Sequence, residues 1–191
     1  YRFGRETGLL RYGAIKVFGD GSAGGLTAAM SEPYLVGDPD NRGIFIYSDA
    51  QMHGYLAHFH ELGYQLAIHA IGDAAIEQVL AGIEKADSAE HPIKGRRHRI
   101  EHCGFLTEAQ LARMAAAGID PVPQPAFIYE FGDLYVTNLG RQRADASYPM
   151  RKWLDAGLHA AASSDAPVCA TDPFKNLFTM VTRETKRHTV I

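Results

Sequence analysis

Tyr64-Gln65-Leu66-Ala67-Ile68-His69-Ala70 runs through Ile71-Gly72 into Asp73-Ala74-Ala75-Ile76-Glu77-Gln78-Val79-Leu80-Ala81-Gly82-Ile83-Glu84-Lys85-Ala86. The first seven residues are a short apolar run that reads as a strand. After Asp73 the apolar period changes. Ile76, Val79, Leu80 and Ile83 recur at helical spacing and share one face. A strand passing directly into an amphipathic helix is the repeating piece of an α/β protein, and the same alternation recurs on both sides. Upstream, Gly13 to Phe18 reads as a strand, followed by a glycine-rich loop from Gly19 to Gly25 and a long ordered loop to about Tyr47. Ser48 and Gln51 then form a capping box for a helix whose stripe is Met52, Leu56, Phe59 and Leu62. Downstream, His98 to Gly104 reads as a strand. Thr107 and Gln110 cap a helix that carries Leu111 and Met114 and stops at Gly118. Ile119 to Phe127 reads as a strand made irregular by Pro121, Pro123 and Pro125. A helix from Pro149 to Ala156, a strand from Leu158 to Ser164 and a helix from about Pro173 to Glu184, with Phe174, Leu177, Phe178 and Val181, complete the pattern.

Strict alternation implies parallel strands joined by helical crossovers. A doubly wound sheet and part of a (β/α)8 barrel both satisfy it, and periodicity leaves the two open. The remaining stretches, Gly24 to Tyr47 and Phe127 to Tyr148, read as loops that would shape a pocket.

The 191 residues suffice for one substantial core, and 46% hydrophobic with 21% charged residues is ordinary for a globular protein. A net charge of −3 and the lack of a basic run argue against nucleic acid as a partner. No apolar stretch approaches the ~18 residues of a membrane span. Cys103 and Cys169 are too few for a disulfide framework, which favours a reducing compartment and hence the cytoplasm. Tyr1 is not a start methionine, so residues upstream of it are expected.

Side chains alternate across a strand. On that rule Lys16 points into a barrel, as do Gln65, Ala67 and His69, then His98, Ile100 and His102, then Ala161, Ser163 and Asp165. Lys16, His69, His102 and Asp165 then converge at the C-terminal mouth, where α/β barrels build chemistry. Two imidazoles and a carboxylate suit Zn²⁺ and similar ions, which lower the pKa of bound water to roughly 7. Asp165 can take the proton from that water and pass it to a leaving amine. A buried lysine has a depressed pKa. As a free amine Lys16 can add CO₂ and become a bridging carbamate. Taken singly each residue has a plain structural reading: Lys16 in a surface ion pair, His69 and His102 hydrogen-bonded, Asp165 starting a turn before Ala166-Pro167.

Ile15-Lys16-Val17-Phe18-Gly19-Asp20-Gly21-Ser22, His69-Ala70-Ile71-Gly72-Asp73, His98-Arg99-Ile100-Glu101-His102 and Ser164-Asp165-Ala166-Pro167-Val168 together resemble family 3 of the amidohydrolase superfamily, the group that includes N-substituted formamide deformylases. The resemblance runs from about Gly13 to Arg183. It implies a partial TIM-type (β/α)8 barrel, approximately strands four to eight, with residues 1–191 forming a single incomplete domain. It implies a carbamylated Lys16, metal ligands His69 and His102, and a proton-shuttling, metal-binding Asp165, with one or two zinc ions. The implied activity is hydrolysis of an amide or N-formyl C–N bond by metal-bound hydroxide on a small-molecule substrate.

The family also uses an H-x-H pair ending strand one, which no residue here supplies. His58-Phe59-His60 lies on a predicted helix, where residues two apart diverge. The chain alone is therefore expected to self-associate and to turn over little. Asp20 is expected to orient Lys16 or substrate, or simply to sit in a turn. Asp73 is expected to cap its helix, with a role behind the metal ligands as the alternative. Two rival readings remain: a barrel enzyme using Lys16 as a Schiff base, and a truncated or degenerate relative without catalysis.

Overall fold

The structure, a computed structural model, describes Gly4 and residues 6–191. A small antiparallel hairpin, β1 (Glu6–Thr7) with β2 (Leu10–Arg11), precedes the main sheet. Then come β3 (Ile15–Phe18), α1 (Asp49–Glu61), β4 (Leu66–Ala70), α2 (Asp73–Lys85), β5 (Arg99–His102), α3 (Glu108–Ala117) and β6 (Asp120–Val122). The chain closes with α4 (Ala126–Leu139), α5 (Arg141–Ala146), α6 (Met150–Asp155) and α7 (Pro173–Thr182).

Strands β3, β4, β5 and β6 are parallel and lie side by side in sequence order. A doubly wound sheet reverses its strand order; a barrel wall does not. The fold is accordingly α/β, a partial (β/α)8 barrel. Leu66, Ile68 and Ile100 point outward onto Met52, Leu56, Ile76, Val79, Leu80, Ile83 and Met114, all fully buried. The predicted capping boxes of α1 and α3 are present, and Gly118 ends α3 in the left-handed conformation. Cys103 and Cys169 are free and buried. No helix among the described residues is long and apolar enough to cross a membrane.

Register partners share a face of the sheet. Lys16, Ala67, Arg99 and Asp120 are successive partners, as are Phe18, His69, Glu101 and Val122; both rows face the barrel interior. The alternation argued for β5 is thus out by one residue. Arg99 and Glu101 point inward, joined at 2.6 Å, whereas Ile100 and His98 lie on the helix side. His98 packs between sheet and α1, accepting from the Leu66 amide at 3.0 Å and meeting His60 at 2.9 Å.

Three further expectations change. Leu158 to Ser164 has no regular secondary structure and joins no ladder. Asp120 donates from its amide to the carbonyl of His98, just before β5, so the alternate residues Pro121 and Pro123 face the other edge, and prolines have no N–H to offer there. What remains is one bond from the Ser163 amide to the Pro123 carbonyl at 2.9 Å and one from the His159 amide to the Asp120 carboxylate at 3.1 Å. Phe127 to Tyr148 is helical rather than loop, and β6 ends at Val122, well short of Phe127. The α7 stripe exists, but Phe174, Leu177, Phe178 and Val181 are exposed, while Asn176 and Thr179 are buried. Asn176 faces inward because its carbonyl oxygen accepts the Ala126 amide at the start of α4.

Candidate functional site

The ends of β3, β4 and β5 and the 158–168 segment open on one cavity of about 520 Å³, whose lining includes Lys16, His69, His102 and Asp165. Each reaches it for a different backbone reason. Lys16 and His69 follow simple alternation. His102 sits where the alternation points outward, but it adopts φ 70°, and Cys103 after it φ 51°. These left-handed non-glycine residues turn the chain so that the imidazole swings toward His69, the two ring centroids lying 4.4 Å apart. Such backbone costs about 1–3 kcal/mol per residue and persists only where neighbours hold it; the Cys103 amide is held by the Ala70 carbonyl at 3.1 Å. Asp165 is also left-handed, at φ 52°.

Both imidazoles are held in defined tautomers. Nε2 of His69 lies 2.9 Å from the Gly21 carbonyl and 3.2 Å from an Asp20 oxygen. Both partners accept, so Nε2 carries the proton. Nδ1 of His102 lies 2.6 Å from Oε1 of Gln124. The Gln124 amide nitrogen donates to the Val122 carbonyl and to the Ser163 hydroxyl, both at 2.9 Å, which fixes Oε1 as the atom facing the ring. Nδ1 of His102 is therefore the protonated nitrogen. Nδ1 of His69 and Nε2 of His102 have no hydrogen-bond partner among the described residues, so each keeps a free lone pair. Burial lowers the pKa of His102 to about 3, helped by His69 and Lys16 and opposed by Gln124; the ring is neutral at physiological pH.

Burial also lowers the pKa of Lys16, while Glu101 and Asp165 pull it back up. Its Nζ lies 5.0 Å from the centre of the Phe18 ring. Phe18 also packs against His69 at 4.9 Å, and Phe127 stacks on His102 at 5.7 Å.

Asp20 is buried and touches His69 rather than Lys16. Its oxygens accept the amides of Ala29, Ile71 and Gly72 at 2.9–3.0 Å, so it fastens the loop after β3 to the end of β4. Asp73 is not the cap of α2, a position held by Gly72. It lies away from the cavity, accepting the Ser31 amide at 2.9 Å and meeting the Ser31 hydroxyl. The Ala29 carbonyl receives the amides of Ala74 and Ala75 instead, and a Cβ on Gly72 would stand 1.9 Å from that oxygen. His58 is exposed and His60 buried, on diverging faces of α1. Gln124 and Glu101 were not singled out by sequence reasoning. A polar amide isolated between Pro123 and Pro125 was a usable signal for Gln124; nothing local marks Glu101 as inward.

The donor set suits a divalent cation in part. It offers two neutral imidazole nitrogens with free lone pairs, each ring anchored through its other nitrogen, the arrangement metal-binding histidines favour. Asp165 adds a carboxylate on the same cavity. Among the described residues no three His, Cys, Asp or Glu side chains come close enough together to hold a metal ion by themselves.

A model described as "Amidohydrolase family" matches residues 2–190. The putative amidohydrolase YtcJ of Bacillus subtilis is 34% identical over 92% of this chain, and an N-substituted formamide deformylase of Arthrobacter pascens is 30% identical over 94%. This chain spans about a third (32%) of the length of each. An uncharacterized metal-dependent hydrolase from Pyrococcus furiosus superposes on 95% of the chain with a TM-score of 0.81 at 30% identity, the match covering 36% of that structure.

Proposed function

The chain belongs to the amidohydrolase family, and from that premise we propose that it forms the metal-binding wall of a hydrolase that cleaves the C–N bond of amide or N-formyl substrates. The observation that carries this reading is the pair of free lone pairs on His69 and His102, set by the bonds to Gly21, Asp20 and Gln124. His69 and His102, with Asp165 on the same cavity, would hold a divalent cation, zinc by its preference for imidazole, which would supply Lewis acidity at the substrate carbonyl and acidify water to a pKa of about 7. Asp165 is exposed at the cavity, so its carboxylate receives the proton of the attacking water and returns it to the departing nitrogen. Lys16, with its lowered pKa, is the amine that adds CO₂ to give a carbamate oxygen ligand. Phe18 and Phe127 cover the two imidazoles and limit bulk water around them.

Metal content after dialysis against zinc tests the reading. Uptake should drop at least tenfold, in order of magnitude, in His69→Ala and in His102→Ala, each of which deletes a ligand. Asp165→Asn should retain more metal than either. Metal-dependent release of formate from an N-formyl amine, lost on chelation and restored by zinc, is the activity expected of the protein that carries this chain. Equal zinc content in the parent and both histidine variants would falsify the assignment.

A further inference from the structure

Beside the polar residues, the cavity is lined by one face of α4: Phe127, Phe131 and Leu134, at i, i+4 and i+7. Phe127 stacks on His102, and Phe131 meets Phe127 edge-on at 5.3 Å. The apolar row therefore starts at a candidate ligand and leads away from it along the helix. From residue 127 to residue 134 is about 10 Å at the rise of an α-helix. The facing wall is the Ser22–Gly25 stretch. That wall is held in place, because Nδ2 of Asn138 on α4 donates to the carbonyls of Ala23 and Gly24 at 3.1 and 3.3 Å. The same bonds occupy the carbonyls that the loop would otherwise offer to a polar ligand. A Cβ on Gly24 would come within 3.9 Å of Leu134, so the loop closes on the helix at the far end.

Charge is confined to one side. Among the described residues lining this cavity, Lys16 and Asp165 are the charged ones, and both belong to the polar wall. No described cation lies along the row from Phe127 to Leu134 to pair with an anion. A carboxylate there would lose water and gain no partner, a costly transfer. An aryl or alkyl group would instead replace water against phenylalanine and leucine.

We infer that the slot between α4 and the glycine loop takes the uncharged apolar substituent of a neutral amide, and that it discriminates against N-acyl amino acids, whose carboxylate would enter it. This rests on the amide-hydrolase reading above and adds the substrate class to it.

The test uses three ligands, measured by titration calorimetry on the zinc-loaded protein: N-(2-phenylethyl)acetamide, N-acetylphenylalanine, which differs from it by one carboxylate, and N-methylacetamide, which lacks the aryl arm. The neutral aryl amide should bind at least about tenfold more tightly than either of the others. Leu134→Lys, at a position 46% exposed and so compatible with folding, should narrow or reverse the preference over the carboxylate. Phe131→Ala should weaken the aryl amide about tenfold and leave N-methylacetamide unchanged. Equal binding of the first two ligands, or no effect of either variant, overturns the inference. Zinc content in the same samples separates the two readings. Normal metal uptake without ligand discrimination sinks the substrate class alone. Discrimination that persists in a chain taking up no zinc sinks the metal reading alone.

Discussion

Gln124 accepts the Nδ1 proton of His102 at 2.6 Å and anchors itself on Val122 and Ser163. Removing an outer partner of this kind typically costs about 10–100-fold in metal affinity. Gln124→Ala should therefore weaken zinc by that order without unfolding the chain, and Gln124→Glu, which still accepts the proton, should recover most of it. Competition with a chromophoric chelator reads both; an unweakened Gln124→Ala would remove Gln124 from the site. A second histidine assembly carries no metal chemistry but sets a pH response. The Leu66 amide donates to Nδ1 of His98, whose Nε2 donates to Nδ1 of His60, whose Nε2 donates to the His91 carbonyl. Every ring nitrogen is used in the neutral form. Burial lowers His98 to about 4, with His60 and Arg96 adding to the effect. An unfolded histidine titrates near 6.5, in rough terms, so between those values the unfolded chain holds the extra proton. The stabilisation is complete above pH ~6.5 and is lost as the pH falls toward 4, by about 3 kcal/mol at most. Urea midpoints at pH 7.5 and 4.5 measure this; identical midpoints, once other groups are matched with a His98→Gln control, count against it.

At the scale of elements, the junction from β4 to α2 depends on residues distant in sequence. Asp20 binds the amides of Ala29, Ile71 and Gly72, and the Ala29 carbonyl in turn caps α2. Asp20→Ala strips a buried acceptor from three donors and should destabilise the chain by roughly 3 kcal/mol or more. Hydrogen exchange gives the specific readout: Ala29, Ile71 and Gly72 should lose protection together, ahead of the centre of β4. Uniform loss across the sheet would mean that Asp20 does not act through this clip. Helix α7 shows what periodicity can and cannot say. Its i, i+3, i+4, i+7 stripe was legible, but the buried face belongs to Asn176 and Thr179. Period identifies a face; contact with neighbouring elements decides whether that face is covered.

The barrel wall leaves part of its apolar surface open. Phe18 is 53% exposed at the open edge, and on α7 Phe174 and Val181 are 76% and 86% exposed. Exposed apolar side chains and unpaired strand edges favour association. The chain is expected to self-associate, and Phe174→Glu combined with Val181→Glu should lower its mass in solution toward 20.9 kDa. Light scattering coupled to gel filtration checks this, and a monomeric parent chain would contradict it.

Local chemistry alone determined the alternation of strands and helices from β3 to β6, the capping boxes at Ser48 and Thr107, and the inward placement of Lys16 and His69. Each depends on neighbours within a few residues, where periodicity and hydrogen-bonding chemistry are direct. The grouping of Lys16, His69, His102 and Asp165 was also legible, through motifs that fall at successive strand ends. The tertiary structure alone decided the rest. Unreversed strand order selected the barrel wall, because pairing partners lie 21 or more residues apart. The positive φ of His102 reversed the reading of β5, because one turned residue inverts the alternation on which face assignments rest. Pro121 and Pro123 withheld the donors that a strand over 158–164 would need, and this mattered only because those residues face that edge. Gln124 became part of the site because folding brings Ser163, 39 residues away, to fix its amide. Chain-local rules carry no information about a partner supplied by another element.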